Sequence, residues 1–198
     1  MEINERSKKY YTILDKLLKS AIFFNRIVDG KKVEEMGENE IRAKIKTQIP
    51  IVAEELVETL QALEDEDERE YYDGLVDVLY TKPFLTELRL QLTKFANVKT
   101  IENIGVIEYI DDTFGKLIEC GFIKMDTLSE YADRVIANNM EKFTTDEAVF
   151  KTWESEYIPT SKVVDGVKYY FFVDENGKVK KRKGFPKVEV EDLFNGVK

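Results

Sequence analysis

The chain has 198 residues, of which 43% are hydrophobic, and this length suffices for one well-packed domain with a small appendage. It contains one cysteine, Cys120, and no histidine, which excludes an intrachain disulfide and histidine-dependent nucleophilic catalysis and disfavours a tetrahedral zinc site. The 39 acidic residues suit magnesium or manganese instead, and the net charge of -9 argues against a nucleic-acid polymer as partner.

From residue 7 to about 143, apolar residues recur at intervals of three and four, which predicts a series of helices. The first apolar stripe consists of Leu14, Leu17, Leu18, Ala21 and Ile22. A second helical pattern runs from Glu40 to Leu63, and Pro50 is expected to kink or break that helix near Ile49.

The third helix is expected to begin at Asp67, because Asp67 followed by Glu70 has the spacing of a capping box. An acidic turn, residues 64–67, separates it from the second helix, and Pro83 is expected to interrupt or bend it. Further helical patterns cover residues 84–96, 101–120 and 127–143.

The pattern changes after Trp153. Residues 163–167 and 169–173 are β-like, and turn signals at Asp165-Gly166 and Asn176-Gly177 predict a hairpin or a three-stranded flap over residues 155–183. We therefore predict an all-α core over residues 1–150 and a small C-terminal β-hairpin flap with an extended tail over residues 155–198. No apolar run approaches the ~20 residues that cross a bilayer, and the N-terminus lacks a signal-peptide pattern, so we expect no membrane contact and a cytoplasmic location.

Acidic residues on the second and third predicted helices form a mirrored pattern. Glu58 with Asp73, and Glu54 with Asp77, are centred on the same point of the acidic turn. In an antiparallel hairpin each pair lies at one height, and the two heights are roughly 6 Å apart. The pattern therefore predicts one shared site for magnesium or manganese. Its metal ligands are Glu55, Glu58, Asp73 and Asp77.

Asp77 is the strongest indication of a metal site, because it lies between apolar residues on a helix that is expected to be largely buried. An ionised carboxylate buried without a partner costs several kcal/mol or takes up a proton. A divalent cation shared by several carboxylates removes that cost, and a core lysine or arginine is the alternative partner. The alternative explanation for Glu54, Glu55 and Glu58 is that they form a solvated helix face without a metal.

Residues 54–58 (EELVE) and 73–80 (DGLVDVLY) resemble the acidic helices of the MazG-like and phosphoribosyl-ATP pyrophosphohydrolase superfamily. Residues 139–143 (NMEKF) resemble the Asn-Met-x-Lys segment that follows the last core helix in many members, especially those encoded by bacteriophages. Residues 174–186 are similar to the C-terminal extension of these members.

The resemblance implies a MazG-like helical bundle, usually a homodimer or homotetramer, that binds magnesium. It implies cleavage of nucleoside triphosphates between the α and β phosphates to a monophosphate and pyrophosphate. On the matching positions, Glu55, Glu58 and Asp77 would be metal ligands. Glu54 would be a further ligand or, together with Glu55, would activate the attacking water.

The chain departs from the family pattern at Gly74, where many members have a glutamate three residues before the final aspartate. The resemblance implies that Asp73 takes over this role from one residue earlier. A second departure is the long polar stretch 82–103, which could cover the site, form a subunit contact or pack as an extra helix.

Asn139 and Lys142 are three residues apart and so share one face at a helix end, where they could contact a base or phosphates of the nucleotide. The alternative is a helix C-terminus stabilised by lysine. The basic run 178–183 (KVKKRK) could hold polyphosphate or form a solvated turn. Less favoured candidates for ligand contacts are Arg42, Lys46 and Asn25.

Taken together, the sequence predicts a magnesium-dependent nucleoside triphosphate pyrophosphohydrolase. Two alternatives remain: a phosphoribosyl-ATP pyrophosphatase, and a non-catalytic helical protein that binds nucleotides or a partner through its flap. Magnesium-dependent release of pyrophosphate separates the enzymes from the binding protein, whereas the preferred base and sugar are not encoded in a recognisable pattern.

Overall fold

A computed structural model describes residues 5–95 and 123–194 of the chain. Long helices form the core, and a three-stranded antiparallel sheet follows near the C-terminus, as the sequence predicts. The elements are α1 Glu5–Asp29, a 3-10 turn Val33–Glu35, α2 Glu38–Glu64, α3 Glu68–Leu92, α4 Met125–Met140, α5 Glu147–Phe150, β1 Ile158–Val164, β2 Val167–Val173, β3 Val179–Lys180 and α6 Glu191–Phe194.

The connection between α2 and α3 is tight, and its chemistry follows the sequence. Asp67 is the N-cap of α3, and its Oδ1 accepts a hydrogen bond from the backbone N–H of Glu70 at 3.0 Å. The predicted start of the helix is therefore confirmed. In a capping box the backbone N–H of Asp67 would donate to the Glu70 side chain, but here it donates to the carbonyl of Ala62 at 2.9 Å. Glu70 therefore contributes to the cap through its own backbone N–H.

Neither proline breaks its helix, because Pro50 lies inside α2 and Pro83 lies inside α3, so of the two outcomes expected at each proline the break is wrong. A proline in a helix interior removes one hydrogen bond and costs about 3 kcal/mol. Beyond Pro50, however, Leu56 is buried, and beyond Pro83 so is Leu88, and burying each such side chain contributes about 1.5–3 kcal/mol. Packing therefore outweighs the local penalty, and residues 84–92 belong to α3 rather than to a separate helix.

The core of the helical part lies where α3 packs against α2, α1 and α4. Leu17 of α1, Leu75 of α3 and Leu128 of α4 are among its fully buried members. The sheet has a smaller core of its own, in which Phe171 of β2 packs with Phe143 and with Ile27 of α1. The flap is thereby fixed beside the C-terminal ends of α1 and α4.

The structure revises the remaining boundaries. The predicted helix 127–143 is α4, which ends at Met140, and the predicted helix 101–120 and part of the stretch 82–103 lie outside the described residues. The tail is not simply extended, since it contains α6, which packs against α4. Arg134 forms paired hydrogen bonds with Asp192 at 2.6 and 2.7 Å. Among the helices described, none has the length and apolar character needed to span a bilayer.

Candidate metal and phosphate site

An acidic groove runs along the junction of α2 and α3, with a volume of about 410 Å³. It is lined by Glu55, Glu58, Gln61, Ala62, Asp65, Asp67, Glu70, Asp73, Gly74 and Asp77. All four predicted metal ligands therefore line one groove. Glu54, the further candidate, is exposed beside it.

The groove depends on a close approach of the two helices at Gly74. A Cβ atom built on Gly74 would lie 2.5 Å from Oγ1 and 3.0 Å from Cα of Thr59. Thr59 is buried, and its hydroxyl donates to the carbonyl oxygen of Glu55 at 2.6 Å, one turn earlier in α2. Gly74 thus faces the backbone of α2, and the structure leaves no space there for the glutamate that the family resemblance leads one to expect.

Asp73, the neighbour of Gly74, is held by a residue from α4. The hydroxyl of Tyr131 donates to Oδ1 of Asp73 at 2.8 Å, and the Tyr131 side chain is buried. Burial and the hydrogen bond to Asp73 raise the pKa of Tyr131 far above its usual range, so this hydroxyl keeps its proton. One Asp73 oxygen is therefore oriented by a neutral donor.

The carboxylates act on one another electrostatically. Burial, followed by the charges of Glu55 and Asp73, raises the pKa of Asp77 to about 7. Burial, followed by the charges of Glu58, Glu54 and Asp73, raises the pKa of Glu55 to about 7. The groove therefore concentrates negative charge in a partly desolvated place.

The donor set fits a divalent cation, because the groove offers several carboxylates whose mutual repulsion a hard cation would relieve. Within residues 5–95 and 123–194, no three acidic side chains are already arranged around one point as a metal site. The shared cation stays a prediction, and its binding would require the carboxylates of the groove to turn towards one another.

Lys142 brings a positive charge to this groove. Its Nζ donates to Oδ1 of Asn139 at 2.6 Å and lies 5.5 Å from the centre of the Phe24 ring. Burial, followed by the charge of Lys181, lowers the pKa of Lys142 to about 8, whereas the charge of Asp77 opposes this shift. Asn139 and Lys142 thus lie on one face, as their spacing predicts, and Lys142 lies within electrostatic reach of Asp77.

Three weaker candidates are not part of this arrangement. Arg42 forms an ion pair with Glu38 one turn earlier at 2.8 Å, as expected of a solvated helix face, and Lys46 is exposed. Asn25 lies inside α1, where its side-chain amide donates to the carbonyl of Ala21 at 2.9 Å.

The site also contains residues that sequence reasoning missed. Tyr131 reaches Asp73 across 58 positions of the chain, and no local pattern links the two. Gly74 had a usable signal, because a glycine within an apolar helical run often marks a close helix contact.

We expect the free energy of unfolding in metal-free buffer to decrease as pH rises from about 4.5 to about 7 and then to flatten. Asp77 and Glu55 have ordinary pKa values of 3.8 and 4.5, but both reach about 7 in the folded chain. The folded state therefore holds protons that the unfolded state has released, and stability is lost as these groups ionise. Urea unfolding with EDTA at several pH values measures this slope. Asp77→Asn should reduce the slope, and an unchanged slope would contradict the assignment.

Comparisons of the chain with protein-family models, with curated proteins and with solved structures gave no match. The resemblance to MazG-like proteins therefore rests on the sequence motifs. The functional argument rests on those motifs together with the groove and its cationic neighbour.

Proposed function

We propose that this chain is a magnesium-dependent nucleoside triphosphate pyrophosphohydrolase built on a MazG-like helical bundle. One observation supports the proposal above all: an acidic groove from α2 and α3 lies beside a partly buried lysine, Lys142, from the end of α4. A nucleotide bound with a divalent cation needs both, because carboxylates suit the cation and an ammonium group suits the phosphates.

In this proposal Glu55, Glu58, Asp73 and Asp77 hold the cation. Magnesium bound there would neutralise phosphate charge and act as a Lewis acid towards the reacting phosphoryl group. Tyr131 keeps one oxygen of Asp73 in a fixed direction through its 2.8 Å hydrogen bond. The chain thereby presents carboxylates from two helices and one oriented donor from a third.

The reaction consumes one water and one nucleoside triphosphate. The water oxygen attacks phosphorus, the bond between the α phosphate and its bridging oxygen to the β phosphate breaks, and pyrophosphate leaves. Glu55 would receive the water proton, because its carboxylate lines the groove in which the water would attack. Glu54 is exposed beside it and is the second candidate for this role.

Lys142 and Asn139 serve binding in this scheme. The ammonium group of Lys142 would neutralise phosphate oxygens, and Asn139 holds that group in place from one turn earlier at 2.6 Å. The partial burial of Lys142 strengthens such a contact, since a charge interaction is screened less away from bulk water.

We expect the purified protein to release pyrophosphate and a monophosphate from at least one nucleoside triphosphate in the presence of magnesium. Chelation with EDTA should abolish turnover, and manganese should restore it in part. Ion-exchange separation of the products over a panel of ribo- and deoxyribonucleotides, with phosphoribosyl-ATP included, measures this.

The outcomes separate the three functions. Turnover of phosphoribosyl-ATP alone would replace the proposed substrate class. Nucleotide binding without turnover of any compound would contradict the enzyme and favour the binding protein. Release of inorganic phosphate rather than pyrophosphate would contradict the proposed bond cleavage.

A further inference from the structure

The basic run 178–183 is divided by the fold into paired and unpaired cations. Lys180 forms an ion pair with Asp174 at 3.2 Å, and Lys183 lies 3.4 Å from a carboxylate oxygen of Glu154. The guanidinium of Arg182 lies 4.6 Å from the centre of the Trp153 ring and 5.1 Å from that of Phe185. These three residues therefore have partners within the flap and its neighbouring segments.

Lys178 and Lys181 behave differently. Both side chains are exposed, and within the described part of the chain neither forms an ion pair. Lys181 lies 5.4 Å from the Phe185 ring, a contact that leaves its charge without a counter-charge. These two residues are thus the cations of the run that remain available to an anion.

Two contacts bring the basic run next to the candidate site. Val179 of β3 packs against the small core that contains Phe143. Arg182, the neighbour of Lys181, donates from Nη1 to the carbonyl oxygen of Glu141 at 3.4 Å, and Glu141 directly precedes Lys142. The electrostatics agree, since after burial the charges of Lys181 and, more weakly, Lys178 lower the pKa of Lys142.

Three ammonium groups thus gather beside a groove that itself carries several carboxylates. The ammonium of Lys142 contacts an amide oxygen and an aromatic ring, neither of which carries a full negative charge. An anion with several oxygens bound across the three ammonium groups would relieve the repulsion among them. A nucleotide base offers no such charge, whereas the two outer phosphates of a triphosphate do.

We propose that Lys178 and Lys181 on the flap, together with Lys142, bind the two phosphates that leave as pyrophosphate, while the acidic groove serves the α phosphate. This inference rests on the proposed function. It assigns the flap a role in substrate selection, because a nucleoside monophosphate lacks the group that these lysines contact. Pyrophosphate, the released product, binds to the same place and competes with substrate.

The test is direct binding of inorganic pyrophosphate, measured by isothermal titration calorimetry in magnesium buffer. The double variant Lys178→Ala/Lys181→Ala should bind pyrophosphate at least about ten-fold more weakly, since two charge-assisted contacts are removed. The matched control is Lys183→Ala, which removes one charge from the same run at a residue that is paired with Glu154. Its affinity should stay within about two-fold of the wild type.

The outcomes distinguish the flap site from the proposed function. Equal pyrophosphate affinity in the wild type and the double variant would overturn the flap site, whether or not nucleotides are hydrolysed. A loss of the same size in Lys183→Ala would overturn it too, because the effect would then be one of net charge. A specific loss in the double variant of a protein without turnover would support the anion site and contradict the enzyme. Circular dichroism of each variant confirms that it is folded.

Discussion

Replacing Asp77 with asparagine is expected to lower nucleotide turnover by about 100-fold or more while the helical fold is retained. Burial, followed by the charges of Glu55 and Asp73, raises the pKa of Asp77 from 3.8 to about 7, so this carboxylate has most to gain from a cation. An asparagine keeps the shape of the side chain but loses the charge that would hold a cation. Steady-state release of pyrophosphate with magnesium measures the loss.

The same substitution should leave thermal stability in metal-free buffer at pH 8 unchanged or higher. Without a cation the carboxylates of the groove repel one another, so neutralising one of them removes an unfavourable interaction. This combination separates a ligand from a structural residue, whose loss would lower both activity and stability. Wild-type turnover in the folded variant would contradict the assignment of Asp77.

Asp133→Asn is the matched control for this experiment. Asp133 lies on the exposed side of α4 and pairs with Lys16 of α1 at 2.8 Å, away from the residues that line the groove. The exposed pair contributes about 1 kcal/mol or less, so turnover should stay near the wild-type value. A comparable loss of turnover in both variants would show that the effect of Asp77→Asn is not specific to the groove.

The part of the site that could be predicted is the part that local sequence determines. Apolar spacing and the N-cap at Asp67 fix α2 and α3 as an antiparallel hairpin, and the acidic residues follow from their positions along it. The asparagine and lysine at the end of α4 could likewise be paired by counting, because Asn139 and Lys142 are three residues apart.

The remainder depends on contacts between distant segments. Pro50 and Pro83 should break helices according to local rules, but packing against neighbouring helices keeps α2 and α3 continuous. The division of the basic run could not be predicted, because it depends on where the folded chain places Asp174 and Glu154. Such pairings have no periodic signature in a single sequence.

Gly74→Ala is expected to lower the free energy of unfolding by about 1–3 kcal/mol, and Gly74→Glu by more. An alanine inside a helix gains up to about 1 kcal/mol from helix propensity over glycine, which acts in the opposite direction. The clash is the stronger effect, because the new Cβ would meet not only the Thr59 hydroxyl at 2.5 Å but also its Cα at 3.0 Å. A backbone atom cannot turn aside, so α2 and α3 must separate.

Separation of the two helices should also weaken magnesium binding, since Glu55 lies on one helix and Asp77 on the other. Urea unfolding and magnesium titration of the same variants test both effects, with Gly37→Ala as the control. Gly37 is the N-cap of α2, and a Cβ built there meets no atom within 4 Å, so the free energy of unfolding should change by less than about 1 kcal/mol.

The Gly74→Glu variant is the more informative test, because it introduces the residue that the MazG-like pattern leads one to expect at this position. A stable Gly74→Glu protein that binds magnesium more tightly would contradict the clash, because it would show that the helices can open at this point and admit a further carboxylate.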